Sequence, residues 1–352
     1  MAHPPLPRVT IGVDTHKHTH VAAARDQQGR RLATTMAPAT RAGYATLLAW
    51  ALGLGEPVAW GVEGTGSYGA GLARFLAVHG QRVLEVNRPD RAARRRHGKS
   101  DPVDADAAAR AVQAGEATGT PKAQDGMVEM LRALRVARQT AVKARTQAIN
   151  AIKGLLVTAP DELREQLEGL TTTKLVRQAA ALDPGTLTTP TAAATLALAG
   201  LARRYQHLNA EISLLTRSLD QLTATAAPKL RALLGVGPDS AAALLITAGD
   251  NWQRLHSEAA FAALCGSSPV EASSGKTRRH RLNRGGDRQA NAALHRIVIV
   301  RLRWHQPTRD YAARRTTEGK TRKDIIRCLK RYIAREIFAT LRQTDENLTN
   351  AA

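Results

Sequence analysis

Val9-Thr10-Ile11-Gly12-Val13-Asp14 reads as an apolar strand that ends on an acid. A second run of the same kind, Val58-Ala59-Trp60-Gly61-Val62, ends on Glu63. Between them, Thr19 to Arg25 follows a short turn as a second strand. Gln27-Gln28-Gly29-Arg30 then forms a hairpin turn into a third strand, Arg31 to Ala37. Thr40 can cap a helix running to about Leu52, with Tyr44, Leu47, Leu48 and Ala51 on one face. After Glu63, Gly64-Thr65-Gly66-Ser67 leads into a helix from about Tyr68 to His79, and Arg82 to Val86 is a fifth strand. A basic loop follows (Arg88, Arg91, Arg94, Arg95, Arg96 and Lys99), and then a helix opened by Asp101 and Asp104.

Three hairpin-linked strands, then helix, strand, helix and strand, is the element order of the ribonuclease H-like fold, an α/β architecture. That fold places its first acid on strand one and the next at the end of strand four. Asp14, Glu63, Asp101 and Asp104 then converge, and four carboxylates together repel one another unless divalent cations neutralise them. Phosphodiester chemistry needs an activated oxygen nucleophile, a stabilised leaving oxygen and charge relief on the phosphate. Two metals ~4 Å apart can provide all three. Mg²⁺ prefers oxygen ligands and keeps several waters, so three or four carboxylates suffice.

Each acid also has an ordinary reading. Ser100-Asp101-Pro102-Val103-Asp104 is a good helix start, with Asp101 as N-cap, Pro102 at N1 and Asp104 at N3. Asp14 alone reads as a turn residue and Glu63 alone as a surface acid. Joint placement on the correct elements favours a site. Asp106 is expected to point away from it. His16, His18 and His20 alternate, so on a strand they would share one face. With hard-cation carboxylates beside them and no fourth soft ligand, the expectation is a solvated or RNA-contacting face rather than a metal site.

From about Asp125 to Leu156 an apolar stripe including Leu131, Leu134, Ala141, Ala148 and Ile152 predicts a long helix. Thr158 to Thr191, with Pro160, Pro184 and Pro190, has no regular pattern. A second long helix is predicted from about Ala192 to Ala226. The pair reads as an antiparallel hairpin or coiled coil, a device for association or spacing. From Pro228 a compact helical domain begins: helix, Gly235-Val236-Gly237 turn, then a helix led by Pro238 to Ala248. This turn resembles a helix-hairpin-helix, whose amides can hold nucleic-acid phosphates; an ordinary tight turn reads equally well. Phe261 to Pro269 closes that unit, a Ser/Gly/Arg-rich loop spans Glu271 to Arg288, and helices are predicted for Gln289–Trp304 and Arg322–Arg342. The expected domains are 8–120, 125–226 and 228–342.

In the loop, Ala272-Ser273-Ser274-Gly275-Lys276 precedes Arg278, Arg279, Arg281 and Arg284. A serine among guanidinium groups can attack a phosphoryl centre while arginine holds the phosphate. Such a loop more often grips phosphate without covalent chemistry.

Composition agrees with a nucleic-acid partner. Net charge is +21, and from Glu271 to Arg342 there are 20 Lys and Arg against 6 Asp and Glu, two-thirds of that excess. A solvated surface does not require one-sided clustering, whereas a polyanion does. Aromatics are 3% of the 352 residues, so the cores must be built from Ala, Leu and Val. Cys265 and Cys328 lack metal-ligand spacing and read as reduced, buried cysteines of a cytosolic protein. Nothing resembles a signal peptide or a bilayer-spanning stretch.

With these motifs in place, nearly the whole chain resembles the DEDD transposases of bacterial insertion sequences, bridge-RNA-guided recombinases related to site-specific DNA invertases. Ile11-Gly12-Val13-Asp14-Thr15-His16-Lys17 resembles their opening strand motif, and Val62-Glu63-Gly64-Thr65-Gly66-Ser67-Tyr68 their Glu motif. Lys99-Ser100-Asp101-Pro102-Val103-Asp104-Ala105 resembles their Lys-Thr/Ser-Asp-x-x-Asp-Ala motif. Leu234-Gly235-Val236-Gly237 and Phe261-Ala262-Ala263-Leu264-Cys265-Gly266-Ser267-Ser268-Pro269 resemble their C-terminal domain. No single motif is highly specific; their order and spacing are. Two departures stand out: the usual Gly-Leu-x-Pro reads Gly266-Ser267-Ser268-Pro269, and a basic Lys-x-Gly-Asn-like segment reads Asn283-Arg284-Gly285-Gly286-Asp287.

The resemblance implies a RuvC-like N-terminal domain, a coiled-coil arm and a mostly helical C-terminal serine domain. It implies a composite site in which the acids of one protomer meet the serine of another. Asp14, Glu63, Asp101 and Asp104 would hold Mg²⁺, two ions per site, and Ser274 rather than Ser273 would be the nucleophile. Strand cleavage would pass through a covalent 5′-phosphoserine, followed by exchange and religation. Donor and target DNA would pair with a structured non-coding guide RNA. Dimers would assemble into a tetramer in the cytoplasm, on the nucleoid when DNA is bound. Nucleic-acid contacts are expected at Lys99, Gly235, Gly237, Lys276, Arg278, Arg279, Arg281 and Arg284. Other expectations remain open: a RuvC-like Mg²⁺-dependent endonuclease or junction resolvase in which water attacks, a DNA invertase without an RNA guide, or a non-catalytic RNA/DNA-binding protein. The four acids together with the serine weigh against the last.

Overall fold

Strand β1 (Arg8–Thr15) is buried at every residue from Val9 to Thr15, the pattern of a strand covered on both faces. It belongs to a computed structural model that describes residues 6–86, 100–276 and 280–349. Lys99, Arg278, Arg279 and the basic loop of residues 88–96 lie outside the described residues. After β1 come β2 (Thr19–Asp26), β3 (Arg31–Pro38), α1 (Arg41–Leu54), β4 (Glu56–Glu63), α2 (Ala70–Val78), β5 (Val83–Val86) and α3 (Asp101–Gln113). The sheet order is β3-β2-β1-β4-β5. β1 pairs antiparallel with β2 and parallel with β4, β2 pairs antiparallel with β3, and β5 runs parallel to β4. This is the predicted α/β topology.

Alternation along the strands sends two sets of side chains to two faces. On one face Val9, Ile11, Val13, Trp60 and Val62 meet Leu47 and Ala51 of α1 and Leu72 and Leu76 of α2. Thr40 caps α1 as expected, accepting from the Gly43 amide at 3.2 Å. On the other face α3 lies on the sheet through an alanine stripe, Ala105, Ala108 and Ala109. It reaches backbone contact: a Cβ built on Gly12 would stand 2.1 Å from the Ala105 carbonyl oxygen and 2.2 Å from the Ala109 nitrogen. Gly12 and the alanine stripe therefore decide how close the acid-bearing start of α3 comes to the end of β1.

The chain divides into two compact units, residues 1–126 with 248–256, and residues 127–247 with 257–352. The segment 248–256 joins the first unit through Asn251, which accepts from the Ala123 amide at 3.1 Å and donates to the Pro121 carbonyl at 2.8 Å. In the second unit α4 (Met127–Val157), α5 (Asp161–Leu167), α6 (Thr172–Ala180) and α7 (Pro190–Ala226) come first. α4 and α7 run antiparallel: Arg138 meets Thr216 at 2.8 Å and Arg145 meets Asn209 at 2.6 Å, while Ile152 packs with Leu198 and Ala202. α5 and α6 add Leu163, Leu167, Leu175 and Val176 to the same core, so the stretch that lacked a pattern in the sequence is two short helices. Two of its three prolines mark helix starts, while Pro184 lies in the irregular segment between α6 and α7. Pro160 precedes α5, and Pro190 opens α7 two residues before the expected Ala192, with Thr189 capping the Ala192 amide at 3.1 Å.

The unit continues with α8 (Pro228–Ala232), α9 (Pro238–Ala248), α10 (Glu258–Leu264), a two-residue ribbon of β6 (Val270–Glu271) and β7 (His280–Arg281), α11 (Arg288–Trp304), α12 (Gln306–Thr317) and α13 (Arg322–Thr349). α12 was not expected; its Arg-, Thr- and Ala-rich sequence presents no apolar stripe. Asp239, in the first turn of α9, is clamped by Arg135 at 3.1 Å, Arg138 at 3.4 Å and Arg296 at 2.6 Å, which joins α4, α9 and α11. Both cysteines are free thiols; Cys265 is buried, but Cys328 is only half-buried, contrary to expectation. Among the described residues no helix is long and apolar enough to cross a membrane.

Candidate active site

The parallel register of β1 and β4 sets Val13 opposite Val62, so Asp14 and Glu63 leave the sheet side by side at the carboxyl ends of their strands. Open α/β sheets bind ligands at such ends. Thr15 fastens the two strands there, its Oγ1 donating to the Glu63 carbonyl at 2.8 Å. The start of α3 supplies the remaining acids. Ser100 is the N-cap, with extended φ of −149°, which makes Asp101 the first helical residue, Pro102 the second and Asp104 the fourth. This corrects the expected assignment of Asp101 as cap. Asp101 already has helical backbone, and its half-exposed carboxylate faces His16. Three residues apart, it and Asp104 share a helix face.

Asp14, Glu63 and Asp104 are buried, 7%, 8% and 7% exposed. Asp14, His16 and Asp101 each offer a ligand atom within 4.8 Å of the others. The imidazole lies between the two carboxylates, its Nε2 3.2 Å from Asp14 and 3.3 Å from Asp101. Burial raises the pKa of Asp14, His16 opposes the rise, and Asp104 and Asp101 add to it by like-charge repulsion. A carboxylate in this setting is one whose ionised form a cation stabilises. The donor set, carboxylate oxygens and one imidazole nitrogen, fits a hard to borderline divalent cation such as Mg²⁺ or Mn²⁺.

His16 was missing from the expected ligands, because the three histidines were assigned to one strand face. β1 ends at Thr15 and β2 begins at Thr19, so His16 and His18 occupy the turn and only His20 is in a strand. His20 is fully buried and stacks on Tyr44 with centroids 5.6 Å apart, which excludes it from an RNA-contacting face. Its pKa is lowered, chiefly by that burial. The available signal for His16 was its position: a histidine two residues past a strand-end acid sits where a tight turn folds back over that end. Asp106 points away as expected and pairs with Arg25 at 3.0 Å and Arg110 at 3.6 Å.

In the second unit, Ser273, Ser274, Gly275 and Lys276 are all exposed, on the segment between β6 and β7, with Val270 paired to Arg281 and Glu271 to His280. The base of this ribbon is anchored by backbone contact. A Cβ on Gly286 would stand 2.1 Å from the Gly266 nitrogen. Asn291 donates to the carbonyls of Cys265 and Gly266, both at 2.9 Å. Asp287, in the segment that departs from the family pattern, caps α11 through the amides of Gln289 at 2.7 Å and Ala290 at 3.2 Å. Arg281 and Arg284 are exposed beside the ribbon.

The Gly235-Val236-Gly237 turn faces inward in part. Gly235, at φ +87°, lies against Ile297 and Val300; the Val236 carbonyl accepts from Arg231 at 2.5 Å, and the preceding Leu234 carbonyl accepts from Arg301 at 2.8 Å. Gly237 has open space around it. The four acids thus lie in the first unit and the serine in the second.

Residues 11–159 match a family model for DEDD transposases of the IS110 type, described as a transposase. Residues 227–313 match a second model, described as the transposase IS116/IS110/IS902 family. Together the two matches span well over half of the chain; the first contains Asp14, Glu63, Asp101 and Asp104, and the second contains Ser274. No curated protein matches the chain.

Proposed function

The chain belongs to the IS110 family of DEDD transposases and is a DNA recombinase; we propose that it cuts and rejoins DNA strands through Ser274, with Asp14, Glu63, Asp101 and Asp104 holding divalent metal, Mg²⁺ in the cell. The observation that carries this reading is the meeting of three fold elements at one point: the ends of β1 and β4 and the first turn of α3 bring buried acids together with His16. His16 is the added donor in this assignment. A divalent ion held by these residues would supply neutralisation of charge on the scissile phosphate and on the oxygen that leaves it.

Ser274 Oγ attacks the phosphorus. The bond from phosphorus to the 3′ oxygen breaks, leaving a 5′-phosphoserine and a 3′-hydroxyl that ends with the serine's proton. Attack by another strand's 3′-hydroxyl reverses these steps, restores the serine and joins the new strand. The exposed position of Ser274 suits a group that must reach a substrate. Lys276, Arg281 and Arg284, with Lys99, Arg278 and Arg279, grip the phosphates; Gly235 and Gly237 add backbone contacts.

Further parts of the proposal concern assembly. The domains are 8–120, catalytic; 125–226, a coiled-coil arm for dimerisation, in keeping with the antiparallel pair α4 and α7; and 228–342, the serine domain. Acids and serine come from different protomers of a tetramer, and a structured guide RNA selects donor and target. The excess of positive charge accords with two nucleic-acid partners.

The test is a denaturing gel of labelled DNA incubated with the full chain. Wild type should give a covalent protein–DNA adduct, Ser274→Ala none, and Asp14→Asn neither adduct nor cleavage while retaining DNA binding. Metal-dependent nicking that persists in Ser274→Ala would instead assign a hydrolytic endonuclease.

A further inference from the structure

The second unit holds a strongly basic cavity. It holds about 550 Å³ between β7, the turn after α10 and the helices α12 and α13, and is lined by seven Lys and Arg side chains and one acid, Asp324. Along α13, Arg327, Arg331 and Arg335 recur every four residues, an arrangement that is destabilising on a helix by like-charge repulsion. Asp324 engages Arg327, and Glu258 engages Arg331 and Arg335. Arg281 and Lys320 make no direct ion pair among the described residues, although the charge of Lys320 helps hold Asp324 ionised. The excess of cation calls for an anion in the cavity.

Its deepest cation is Lys330, only 7% exposed. Nζ donates to Asn291 Oδ1 at 2.8 Å, and no second acceptor for it appears among the described residues. An ammonium has three protons to give. Burial also pushes its pKa down. Asn291 in turn holds the carbonyls of Cys265 and Gly266, so this lysine is coupled to the base of the ribbon that carries Ser274. Tyr332 also lines the cavity, half exposed, with Tyr311 edge-on at 5.5 Å and the Arg335 guanidinium 6.0 Å from its ring. A cluster of cations with an aromatic ring beside it suits the phosphate and base of an unpaired nucleotide. A duplex, whose bases are stacked inside, cannot offer one to a cavity of this size.

We propose that this cavity seats an unpaired nucleotide of the DNA strand being processed, its phosphate on Lys330, Arg281 and Lys320 and its base against Tyr332. DNA, rather than RNA, is chosen because the cavity adjoins the Ser274 ribbon; in that respect the inference rests on the function proposed above. Seated there, a nucleotide flanking the scissile phosphate would fix the register of the strand at the serine.

Fluorescence anisotropy of the full chain, in EDTA and in a Ser274→Ala background, tests this with single-stranded DNA, the same sequence as duplex, and the same sequence as RNA. Tyr332→Ala should weaken single-stranded DNA binding about fivefold, the low end for a lost stack, and leave duplex binding within twofold. Arg281→Gln with Lys320→Gln should lower the steepness of the log–log salt dependence by up to about 0.7, the one phosphate that the cavity would neutralise on a single strand. Lys330→Met should act in the same direction; these surface variants keep the test decisive should that buried substitution unfold the chain. Equal losses on duplex, no loss on any probe, or a loss confined to RNA would each overturn the proposal. Failure of the serine assignment is read separately, as an adduct that survives Ser274→Ala while the cavity variants still lose single-stranded binding.

Discussion

Replacing Gly12 by alanine tests whether the acids are positioned by the close approach of α3 to β1. The added methyl would stand 2.1 Å from the Ala105 carbonyl oxygen, 2.2 Å from the Ala109 nitrogen and 2.9 Å from the Ala109 Cα, all backbone atoms with no rotamer escape. Restoring ordinary contact requires the helix to move outward by roughly 1 Å. Overpacking of this kind costs about 1–3 kcal/mol, so a folded protein with a lower urea midpoint is expected. The functional loss should be larger. Asp101 and Asp104 travel with α3, while Asp14 and Glu63 stay with the sheet. Metal ligands tolerate displacements of about 0.2 Å, and a misplacement of about 1 Å at a reacting centre can cost on the order of a hundredfold in rate. Calorimetric titration with Mn²⁺ and the DNA cleavage rate should therefore both fall far more than stability does. Gly53→Ala is the control: it lies in α1 with nothing within 4 Å of the added methyl, and should stabilise by about 0.5–1 kcal/mol with unchanged metal binding. Gly12→Ala with wild-type metal affinity and cleavage would refute the reasoning.

Three other outcomes are expected. Asp239→Asn leaves the buried Arg135 without its carboxylate, although Gln289 still accepts from it at 3.2 Å; a loss of about 3 kcal/mol, the low end for breaking a buried pair, should appear in urea denaturation. Thr15→Val removes the hydroxyl that holds the Glu63 carbonyl and should cost about 1–2 kcal/mol, with metal affinity falling alongside, which calorimetry would report. The side chain of Arg331, with that of Arg335, holds Glu258 at about 2, below its ordinary 4.5. The pairing therefore contributes above pH 4.5 and is lost as pH falls toward 2, so Glu258→Gln should lower stability at neutral pH and flatten its decline on that acid limb; a pH series of melting temperatures checks it.

The first unit was legible because its signals are local. Apolar runs ending on Asp14 and Glu63, the Gln27-Gln28-Gly29-Arg30 turn and the Thr40 cap each act over a few residues. The nature of the site followed from strand order, since two parallel strand ends and one helix start can gather acids from 90 residues of chain. What escaped depended on geometry finer than periodicity. A shift of one residue in the α3 cap turned Asp101 from a capping group into a carboxylate beside His16. A three-residue turn took His16 out of the strand and laid it over Asp14. Helix α12 lacks the apolar stripe by which a helix is seen, and the prolines at 160 and 190 read as breakers when they are starts. The union of residues 248–256 with the first unit rests on Asn251 bonding more than a hundred residues away, a contact without any local mark. The cation cavity is a tertiary feature also: its members come from Arg281 to Arg335, and only the charge excess of that region was visible beforehand.

Asp14, Glu63, Asp101 and Asp104, with His16, are proposed above as the seat of a divalent metal. Anomalous diffraction from crystals of the full chain soaked in Mn²⁺ measures this directly. A peak is expected within about 2.3 Å of carboxylate oxygens of Asp14 and Asp101, bordered by the His16 nitrogen and lost in Asp14→Asn. Manganese bound elsewhere, or a bare acid cluster at saturating Mn²⁺, would contradict it.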